Sequence, residues 1–429
     1  MRMTVFFIHQ NFPAQYLHLV CRLAANRKNK VFFITQADHS EIPGVKKVVY
    51  KPAAQPVSTC HPYTAAFDAA VRNGDAVAHT CRQLRNRHIV PDVVLGHCGW
   101  GETLFVKDVF PDAPLLTYFE FFYHSHGADV GFDPEFSPHS EGDGARLNIR
   151  NAVNRLSFAA TDWGHTPTRW QRSLFPVDMQ SRISLLHEGV DTRTIKPDSN
   201  AWLKLARGNQ VLSGKDEVIT YVARNLEPYR GFHVFMRALP EILRRRPQAQ
   251  VIIVGGSGIS YGDPPRFGGT YRQAMLAEVG DQLDKERVHF VGQVPYHFYL
   301  NILQISSLHI HLTYPFVLSW SFLEAMSAGC LMLASSTAPV REVLRDRENG
   351  LLVDFFSIGE ICDRVDEALE HPDGMQALRD AARATIVENF DTRSVMLPKW
   401  EKLLKDMALH KFPAALPPDP GLATLTGLR

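Results

Sequence analysis

The sequence predicts an α/β protein built from two doubly wound, Rossmann-like domains. A chain of 429 residues exceeds the ~250 to 300 residues at which one hydrophobic core stops growing. Short apolar runs of strand length alternate with helical stretches in both halves of the chain, which is typical of parallel sheets covered by helices. The alternation pauses once, across a polar stretch at residues 188–216, and we expect the domain boundary there.

The first domain is predicted to span residues 1–190. A long amphipathic stretch at residues 62–87 fits a helix between strands. The predicted strands are residues 4–8, 31–34, 93–95, 115–118 and 183–186.

The second domain is predicted to span residues 191–392. Residues 393–411 carry Trp400, Leu403 and Leu404 at helical spacing and are expected to pack back on the first domain. Residues 412–429 are rich in Pro and Gly and are expected to form a loose tail. The predicted strands are residues 218–223, 251–254, 288–291, 308–312, 331–334 and 351–353.

Composition excludes several classes of protein. Hydrophobic residues make up 45% of the chain and charged residues 21%, which is ordinary for a globular protein. The 46 Lys and Arg nearly balance the 45 Asp and Glu, so we expect no nucleic-acid partner. The apolar runs are too short for a transmembrane segment, although contact with a membrane surface is compatible with the sequence. Six widely spaced cysteines favour free thiols and a cytoplasmic location.

The segment Arg224-Asn225-Leu226-Glu227-Pro228-Tyr229-Arg230-Gly231 follows a predicted strand and precedes a predicted helix at residues 232–246. Ligands of open parallel sheets lie beyond the carboxyl ends of the strands. Guanidinium groups and the amides of a helix start both bind phosphate oxygens. Arg224 and Arg230 are therefore candidate ligands of a diphosphate; the alternative is that both form ordinary surface ion pairs.

A second candidate site lies in the predicted helix at residues 320–328. The first-turn amides of this helix, at Ser321 and Phe322, could face a phosphate. Glu324 lies one turn inside it among apolar residues, and a buried carboxylate needs partners that donate hydrogen bonds. Two ribose hydroxyls would supply them; the alternative is an ion pair with an arginine of the chain.

Five motifs in this order resemble a family 4 glycosyltransferase of the GT-B fold. The resemblance covers residues 3–404 and is densest between residues 224 and 353. The motifs are Arg224 to Arg230-Gly231, Gly255-Gly256, Phe290-Val291-Gly292-Gln293-Val294, Leu323-Glu324-Ala325-Met326-Ser327-Ala328-Gly329 and Asn349-Gly350-Leu351-Leu352-Val353.

The resemblance implies two domains facing a central cleft and a nucleotide-sugar donor bound by the second domain. By the same resemblance, Arg224 and Arg230 hold the diphosphate and stabilise the leaving group, and Glu324 holds the ribose. The resemblance further places the base at Gln293 and Val294 and the phosphates at the amides of Ser321 and Phe322, and it includes Gly255 among the residues that bind the donor.

Two departures from the family stand out. The family usually has a glutamate that contacts the donor sugar eight residues before the ribose glutamate, and that position here is Phe316. The family's glycine-rich step before the helix is replaced by Val317-Leu318-Ser319-Trp320. The identity of the donor sugar therefore cannot be copied from the family.

The first domain offers acceptor-side candidates. Glu120 stands where many family members have a histidine, His124 follows in the next loop, and Gln15 lies after the first strand. A structural or surface role is the alternative for Glu120 and His124. No Asp-x-Asp occurs in the chain, and the His pairs 124/126 and 309/311 lack a third ligand, so we expect no metal.

The expected function is metal-free transfer of a sugar, with retention, from a UDP- or GDP-linked donor. The acceptor is expected to be a hydroxyl of a glycan, a lipid-linked sugar or a small molecule, and no cofactor is expected because the nucleotide sugar is itself a substrate. Two alternatives stay open: a sugar-nucleotide epimerase or phosphorylase on the same fold, and a non-catalytic sugar-nucleotide binder.

Overall fold

The computed structural model describes residues 2–37, 39–54, 60–205, 210–266 and 268–419. The chain divides into two compact units. Unit 1 contains Met1–Gly127, His139–Gly189 and Thr392–Arg429, and unit 2 contains Ala128–Pro138 and Val190–Asp391. These boundaries differ from the predicted ones chiefly in the short segment 128–138, which belongs to unit 2 although its sequence lies within the first half.

Unit 1 holds seven strands and eight α-helices among its described residues. The strands are β1 (Thr4–Ile8), β2 (Lys30–Thr35), β3 (Val45–Val49), β4 (Val93–His97), β5 (Leu115–Tyr118), β6 (Trp163–Thr166) and β7 (Ile183–Leu185). The helices are α1 (Leu17–Ala25), α2 (Ala65–Asn86), α3 (Val106–Val109), α4 (Asp143–Arg150), α5 (Ala152–Ala160), α6 (Arg169–Ser173), α7 (Val177–Gln180) and, near the C-terminus, α15 (Leu397–Met407).

The sheet of unit 1 is parallel throughout, with strand order β3-β2-β1-β4-β5-β6-β7. Phe6 and Ile8 of β1 pack into the core that α2 and α3 cover. Phe7, on the opposite face, contacts Tyr16 with ring centroids 5.2 Å apart. Both faces of β1 are therefore buried, which explains why its sequence is a continuous apolar run rather than an alternating one.

Two strands of unit 1 were not predicted. β3 reads Val-Lys-Lys-Val-Val and is only partly buried at the edge of the sheet. β6 contains Gly164 and His165 yet is fully buried between β5 and β7. Neither sequence has the apolar run from which the other strands were predicted.

Unit 2 holds the remaining strands and helices. The strands are β8 (Trp202–Lys204), β9 (Val211–Ser213), β10 (Val218–Asn225), β11 (Gln250–Gly256), β12 (Val288–Gly292), β13 (Leu308–His311), β14 (Met332–Ser335) and β15 (Leu351–Val353). The helices are α8 (Phe232–Arg245), α9 (Tyr271–Val279), α10 (Tyr296–Gln304), α11 (Trp320–Ala328), α12 (Ala338–Arg341), α13 (Ile358–Glu370) and α14 (Gln376–Phe390).

The main sheet of unit 2 is parallel, in the order β12-β11-β10-β13-β14-β15. Val218 and Val222 of β10 face a core shared with α10, α11 and α14. On the other face, the Tyr221 ring stacks on Phe235 of α8 at 4.7 Å. The six strands predicted for this half all appear, and the predicted helix at residues 320–328 coincides with α11.

The polar stretch at residues 188–216, of which the structure describes residues 188–205 and 210–216, is more than an irregular linker. It contains the antiparallel pair β8–β9, in which Leu203 lies opposite Leu212. Both leucines are buried in the core of unit 2. This strand pair was not predicted because each strand is three residues long and has a single buried residue.

The C-terminal helix α15 packs within unit 1, where Trp400 Nε1 donates a hydrogen bond to the His187 carbonyl at 3.0 Å. The prediction of a loose tail from residue 412 was wrong for its described end. Asp419 forms a buried ion pair with Arg172 at 2.9 Å, and its amide donates to Gln180 Oε1. A charged pair anchors this segment even though its composition is that of a loop; residues 420–429 lie outside the described part of the chain.

All six cysteines are free thiols. Within the described ranges, no helix combines the length and apolar character needed to cross a bilayer.

Candidate functional site

The strand order of unit 2 creates a switch point between β10 and β13. β11 and β12 lie on one side of β10, whereas β13, β14 and β15 lie on the other. The segments that leave β10 and β13 therefore turn in opposite directions. They bound a crevice at the carboxyl edge of the sheet, where ligands of such sheets bind. Arg224 and Asn225 end β10, residues 226–231 follow it and residues 312–319 follow β13, so this edge brings the two predicted motifs together.

Gly231 is required where these two segments meet. Its φ of +66° lies in the left-handed region, and a Cβ added there would fall 2.3 Å from Cβ of Leu312. Only glycine satisfies both conditions. The Arg230-Gly231 pair of the motif thus ends the turn after β10 and starts α8 in contact with the chain leaving β13.

Arg230 is buried at this crevice, with 5% of its surface exposed. Its Nη1 donates to Thr313 Oγ1 at 2.7 Å and to the Val317 carbonyl at 3.2 Å. The guanidinium also lies over the Tyr261 ring, 5.1 Å from the centroid. Arg230 is therefore not a surface residue in an ordinary ion pair. Its guanidinium is held in place through Nη1, and the Nε and Nη2 groups can donate further hydrogen bonds. Arg224, at the end of the same β10, is exposed.

Glu227 fixes the loop after β11 to the loop after β10. Its side chain is fully buried, and its carboxylate accepts hydrogen bonds from three successive backbone amides, those of Ser260, Tyr261 and Gly262, each at 3.1 Å. Asn225 adds two more links, from the Gly258 amide to Oδ1 and from Nδ2 to Ser260 Oγ. The position of Tyr261 beside Arg230 therefore depends on Glu227.

Glu324 has two tyrosine partners. Tyr296 donates to Oε1 at 2.9 Å and Tyr299 donates to Oε2 at 2.6 Å, both from α10. Burial raises the pKa of Glu324, and the two hydroxyls oppose that rise. The side-chain partners of Glu324 are thus two tyrosines of α10, and not the arginine that the alternative interpretation named.

The other predicted donor-site residues lie at the ends of neighbouring strands or at the start of α11. Gly255 is the next-to-last residue of β11, and Gln293 and Val294 connect β12 to α10. Ser321 Oγ pairs with Ser319 Oγ at 2.8 Å, so the Ser319 side chain does not cap the first turn of α11. Phe322 is fully buried against His311 and can contribute only its backbone.

An aromatic cluster surrounds Phe316, where the family usually has a glutamate. Phe316 is 8% exposed and contacts Tyr229 and Tyr261 with centroid distances of 5.4 and 5.2 Å. Tyr229 in turn packs on Tyr314 at 4.7 Å. Next to Arg230 this chain therefore presents aromatic rings at the position where the family usually has a carboxylate.

The segment 128–138 holds a buried carboxylate beside this aromatic cluster. Asp133 Oδ2 accepts the Tyr314 hydroxyl at 2.6 Å and lies 3.0 Å from His233 Nε2. Its Oδ1 accepts the amide of Glu135. Burial works to raise the pKa of Asp133, but the hydrogen bonds from His233 and Tyr314 outweigh it and lower the pKa to about 2.

Two further acidic residues secure the same segment. Asp129 Oδ2 accepts the Tyr229 hydroxyl at 2.8 Å. Glu135 forms a bidentate pair with Arg237 of α8 at 2.7 and 2.8 Å. The segment thus binds Tyr229, which contacts Phe316, and Tyr314, which packs on Tyr229.

In unit 1, polar and aromatic side chains gather at the corresponding switch point, between β1 and β4. His9 follows β1 and His97 ends β4, with ring centroids 5.2 Å apart. His97 is sandwiched between Trp100 at 4.5 Å and Tyr118 at 5.0 Å. Its Nδ1 accepts the Gly99 amide, which leaves Nε2 facing Glu120 Oε2 at 3.5 Å.

The three acceptor-side candidates lie in different surroundings. Glu120 belongs to the unit 1 cluster and keeps a third of its side chain exposed. Gln15 lies near His9, whose Nδ1 accepts the Asn11 amide at 2.9 Å, and burial lowers the pKa of His9 well below its usual value. His124 instead pairs with the Leu174 carbonyl at 2.7 Å and lies 5.6 Å from the Phe122 ring.

Comparison with known proteins decides the family. Residues 27–195 match the model of the glycosyl transferase family 4 group, and residues 205–385 match that of glycosyl transferases group 1. The chain belongs to glycosyltransferase family 4. The two matches together span most of both units.

Curated proteins that are similar to this chain include two from mycobacteria. D-inositol 3-phosphate glycosyltransferase of Mycolicibacterium smegmatis is 24% identical over 238 residues, which cover 55% of this chain and 51% of that protein. GDP-mannose-dependent alpha-(1-6)-phosphatidylinositol monomannoside mannosyltransferase of Mycobacterium tuberculosis is 25% identical over 293 residues, covering 66% and 67%. The alignment with the first relative thus spans about half of that relative's length.

Solved structures show that the fold is of the GT-B class. Sucrose-phosphate synthase from Thermosynechococcus elongatus superposes with a TM-score of 0.72 at 17% identity, covering 96% of this chain and 100% of that one. HepE of Anabaena in complex with UDP-glucose gives a TM-score of 0.65 at 15% identity, covering 94% and 100%.

Several residues of the candidate site were not identified from the sequence. Glu227 and Tyr229 lie inside the quoted motif but were given no role, although an acidic residue between two arginines was a usable signal. His97 is followed closely by Trp100 and could have been noticed as a cluster at the end of a strand. Asp133 gave no signal, because its partners lie 100 and 181 residues away in sequence.

Ionised Asp133 is expected to make stability depend on pH. Because its folded pKa is depressed, its contribution is complete above the unfolded value near 3.8 and is lost as the pH falls through about 2. We expect the difference in unfolding free energy between the wild type and Asp133→Asn to shrink by about 1 kcal/mol from pH 6 to pH 3. Urea titrations at both pH values measure it. The exposed Asp281→Asn is the control, and an equal shift there would contradict the assignment.

Proposed function

We propose that this chain transfers a sugar from a UDP- or GDP-linked donor to a hydroxyl group, with retention at the anomeric carbon and without a metal ion. The observation that carries the proposal is the buried Arg230 guanidinium, held at the switch point of unit 2 by Thr313 and the Val317 carbonyl. Arg224 at the end of the same strand supplies a second positive charge.

Leaving-group stabilisation is the task that this arrangement fits. Negative charge builds on the diphosphate as the glycosidic bond breaks, and donors that are already in place stabilise it without reorganisation. Thr313 and Val317 use one nitrogen of Arg230, so the rest of its planar fork can bind phosphate oxygens in a bidentate manner. The two arginines would thereby supply the charge that a divalent cation supplies in other transferases.

Retention is proposed to proceed on one face of the sugar. The bond from the anomeric carbon to the diphosphate breaks, the acceptor oxygen bonds that carbon on the same face, and the acceptor proton passes to the departing phosphate oxygen. A double displacement would need a carboxylate beside the anomeric carbon. The family position nearest to that role is Phe316, packed between Tyr229 and Tyr261.

The acceptor is proposed to bind at the carboxyl edge of the unit 1 sheet. Glu120 has one oxygen near His97 and a partly exposed side chain, so the other oxygen can accept a hydrogen bond from a hydroxyl group. Trp100 offers an aromatic ring beside it, a surface on which sugar rings commonly pack. The two mycobacterial relatives are named for D-inositol 3-phosphate and for a phosphatidylinositol monomannoside, and these names favour a polyol or a glycolipid as acceptor.

Transfer activity is expected to survive removal of divalent metal. The protein is treated with EDTA and incubated with UDP- and GDP-sugars and candidate acceptors, and product is followed by mass spectrometry and by NMR of the anomeric proton. We expect an unchanged rate and a product with the anomeric configuration of the donor. A rate that vanished with EDTA and returned with magnesium would overturn metal independence, and an inverted product would overturn retention.

The same assay separates the alternatives. An epimerase would convert the nucleotide sugar with no acceptor present. A non-catalytic binder would bind the nucleotide sugar and leave both donor and acceptor unchanged.

A further inference from the structure

The two tyrosines that bind Glu324 differ in exposure. Tyr299 is 8% exposed, whereas Tyr296 is 51% exposed. They lie three residues apart on α10, so both face the same carboxylate, and their rings are 5.6 Å apart. One of the two hydrogen bonds on Glu324 is therefore made from the interior of unit 2 and the other from its surface.

We propose that the Tyr296 hydroxyl occupies, in the free protein, the place that a ribose hydroxyl of the nucleotide takes in the complex, and that Tyr296 leaves Glu324 when the nucleotide binds. The inference rests on the proposed function, because it takes Glu324 as the ribose ligand. It adds that this chain carries its own competitor for that carboxylate.

The side from which a ribose can approach Glu324 supports this exchange of the Tyr296 hydroxyl for a ribose hydroxyl. The neighbours of Glu324 on α11, Leu323 and Ala325, are buried, and Tyr299 closes the interior side of the carboxylate. A ribose must then reach Glu324 from the exposed side, which is where Tyr296 lies. Tyr299 keeps its bond to Oε2 and holds the carboxylate in position.

The exchange also explains how a mostly buried carboxylate is tolerated without ligand. A buried carboxylate that lacks hydrogen-bond donors is strongly disfavoured. Tyr296 supplies the missing donor in the free protein, and a ribose hydroxyl supplies it in the complex, so the number of hydrogen bonds to Glu324 is conserved. The consequence is that nucleotide affinity is reduced by whatever the bond from Tyr296 contributes.

Tyr296→Phe is therefore expected to tighten nucleotide binding. The net worth of a partly exposed hydrogen bond to a carboxylate corresponds to roughly 3- to 10-fold in an equilibrium constant, and we expect a gain of that size. Calorimetry with UDP and with GDP measures it for whichever the wild type binds. The matched control is Phe298→Leu, a change at another exposed ring of α10 that should leave the affinity unaltered.

A second probe isolates the ribose. With the 2′,3′-dideoxy form of the same nucleotide, Tyr296 has no competitor for Glu324, so the wild type and Tyr296→Phe are expected to bind it equally. Tyr299→Phe, which removes a bond that persists in the complex, is expected to weaken binding rather than tighten it.

The possible failures are distinguishable. Equal or weaker binding of the natural nucleotide by Tyr296→Phe, or an equal gain with the dideoxy form, overturns the exchange and leaves the proposed function intact. Failure of the wild type to bind any of these nucleotides overturns the proposed function and the exchange together.

Discussion

Replacing Arg224 by alanine is expected to lower turnover at saturating donor by about 10²-fold, the range found when one preorganised donor to a developing negative charge is removed. Charge on the diphosphate grows along the reaction, so the interaction strengthens in the transition state and acts on turnover more than on the Michaelis constant. Steady-state kinetics with varied donor, together with circular dichroism of the variant, measures the effect.

The control for Arg224→Ala is Arg244→Ala. Arg244 is an exposed arginine near the far end of α8, about 20 Å along that helix from Arg230. We expect this variant to turn over normally. A normal turnover number in Arg224→Ala, with only a raised Michaelis constant, would show that Arg224 merely holds the nucleotide.

Arg230 gives a graded test of the same mechanism. Lysine is the residue that the family usually has at this position. Arg230→Lys keeps the positive charge but loses the planar fork, so its loss of turnover should be smaller than that of Arg230→Ala. Arg230→Ala also leaves Thr313 without its charged partner and removes the cation from the Tyr261 ring.

The second large effect is expected on stability, from Glu227→Ala. This change leaves the amides of Ser260, Tyr261 and Gly262 without their acceptor. Each buried donor left unsatisfied costs about 1 to 3 kcal/mol, and since these residues are partly exposed and water can replace some bonds, we expect a loss of about 3 kcal/mol in total. Urea unfolding measures it.

Glu227→Gln is the graded partner of that variant. It retains one side-chain oxygen able to accept, so its loss should be smaller than that of alanine. Both variants should also turn over more slowly, because Glu227 positions the loop that carries Tyr261 beside Arg230. Alanine and glutamine variants as stable as the wild type would show that the loop does not depend on this carboxylate.

The sequence was sufficient to predict those residues of the candidate site that lie close to a strand end in the same stretch of chain. Arg224, Arg230 and Glu324 follow or lie near predicted strand ends, and parallel strands bring their carboxyl ends to one edge, so topology alone places these residues on that edge. What the sequence could not supply is the surroundings of each side chain. Arg230 bonds Thr313 across 83 residues, and Glu324 bonds Tyr299 across 25.

The amino-acid sequence by itself determined the two doubly wound units, most of their strands and the family, because buried strands need apolar runs and the motif residues lie at fixed distances from them. Only the tertiary structure decided that segment 128–138 belongs to unit 2. It also decided that Tyr296 and Tyr299 donate hydrogen bonds to Glu324, and that Asp419 anchors the tail through Arg172. The physical reason is that these contacts join side chains of ordinary polar residues far apart in sequence. Neither the periodicity nor the composition of the sequence identifies such contacts, because they form only when the chain folds.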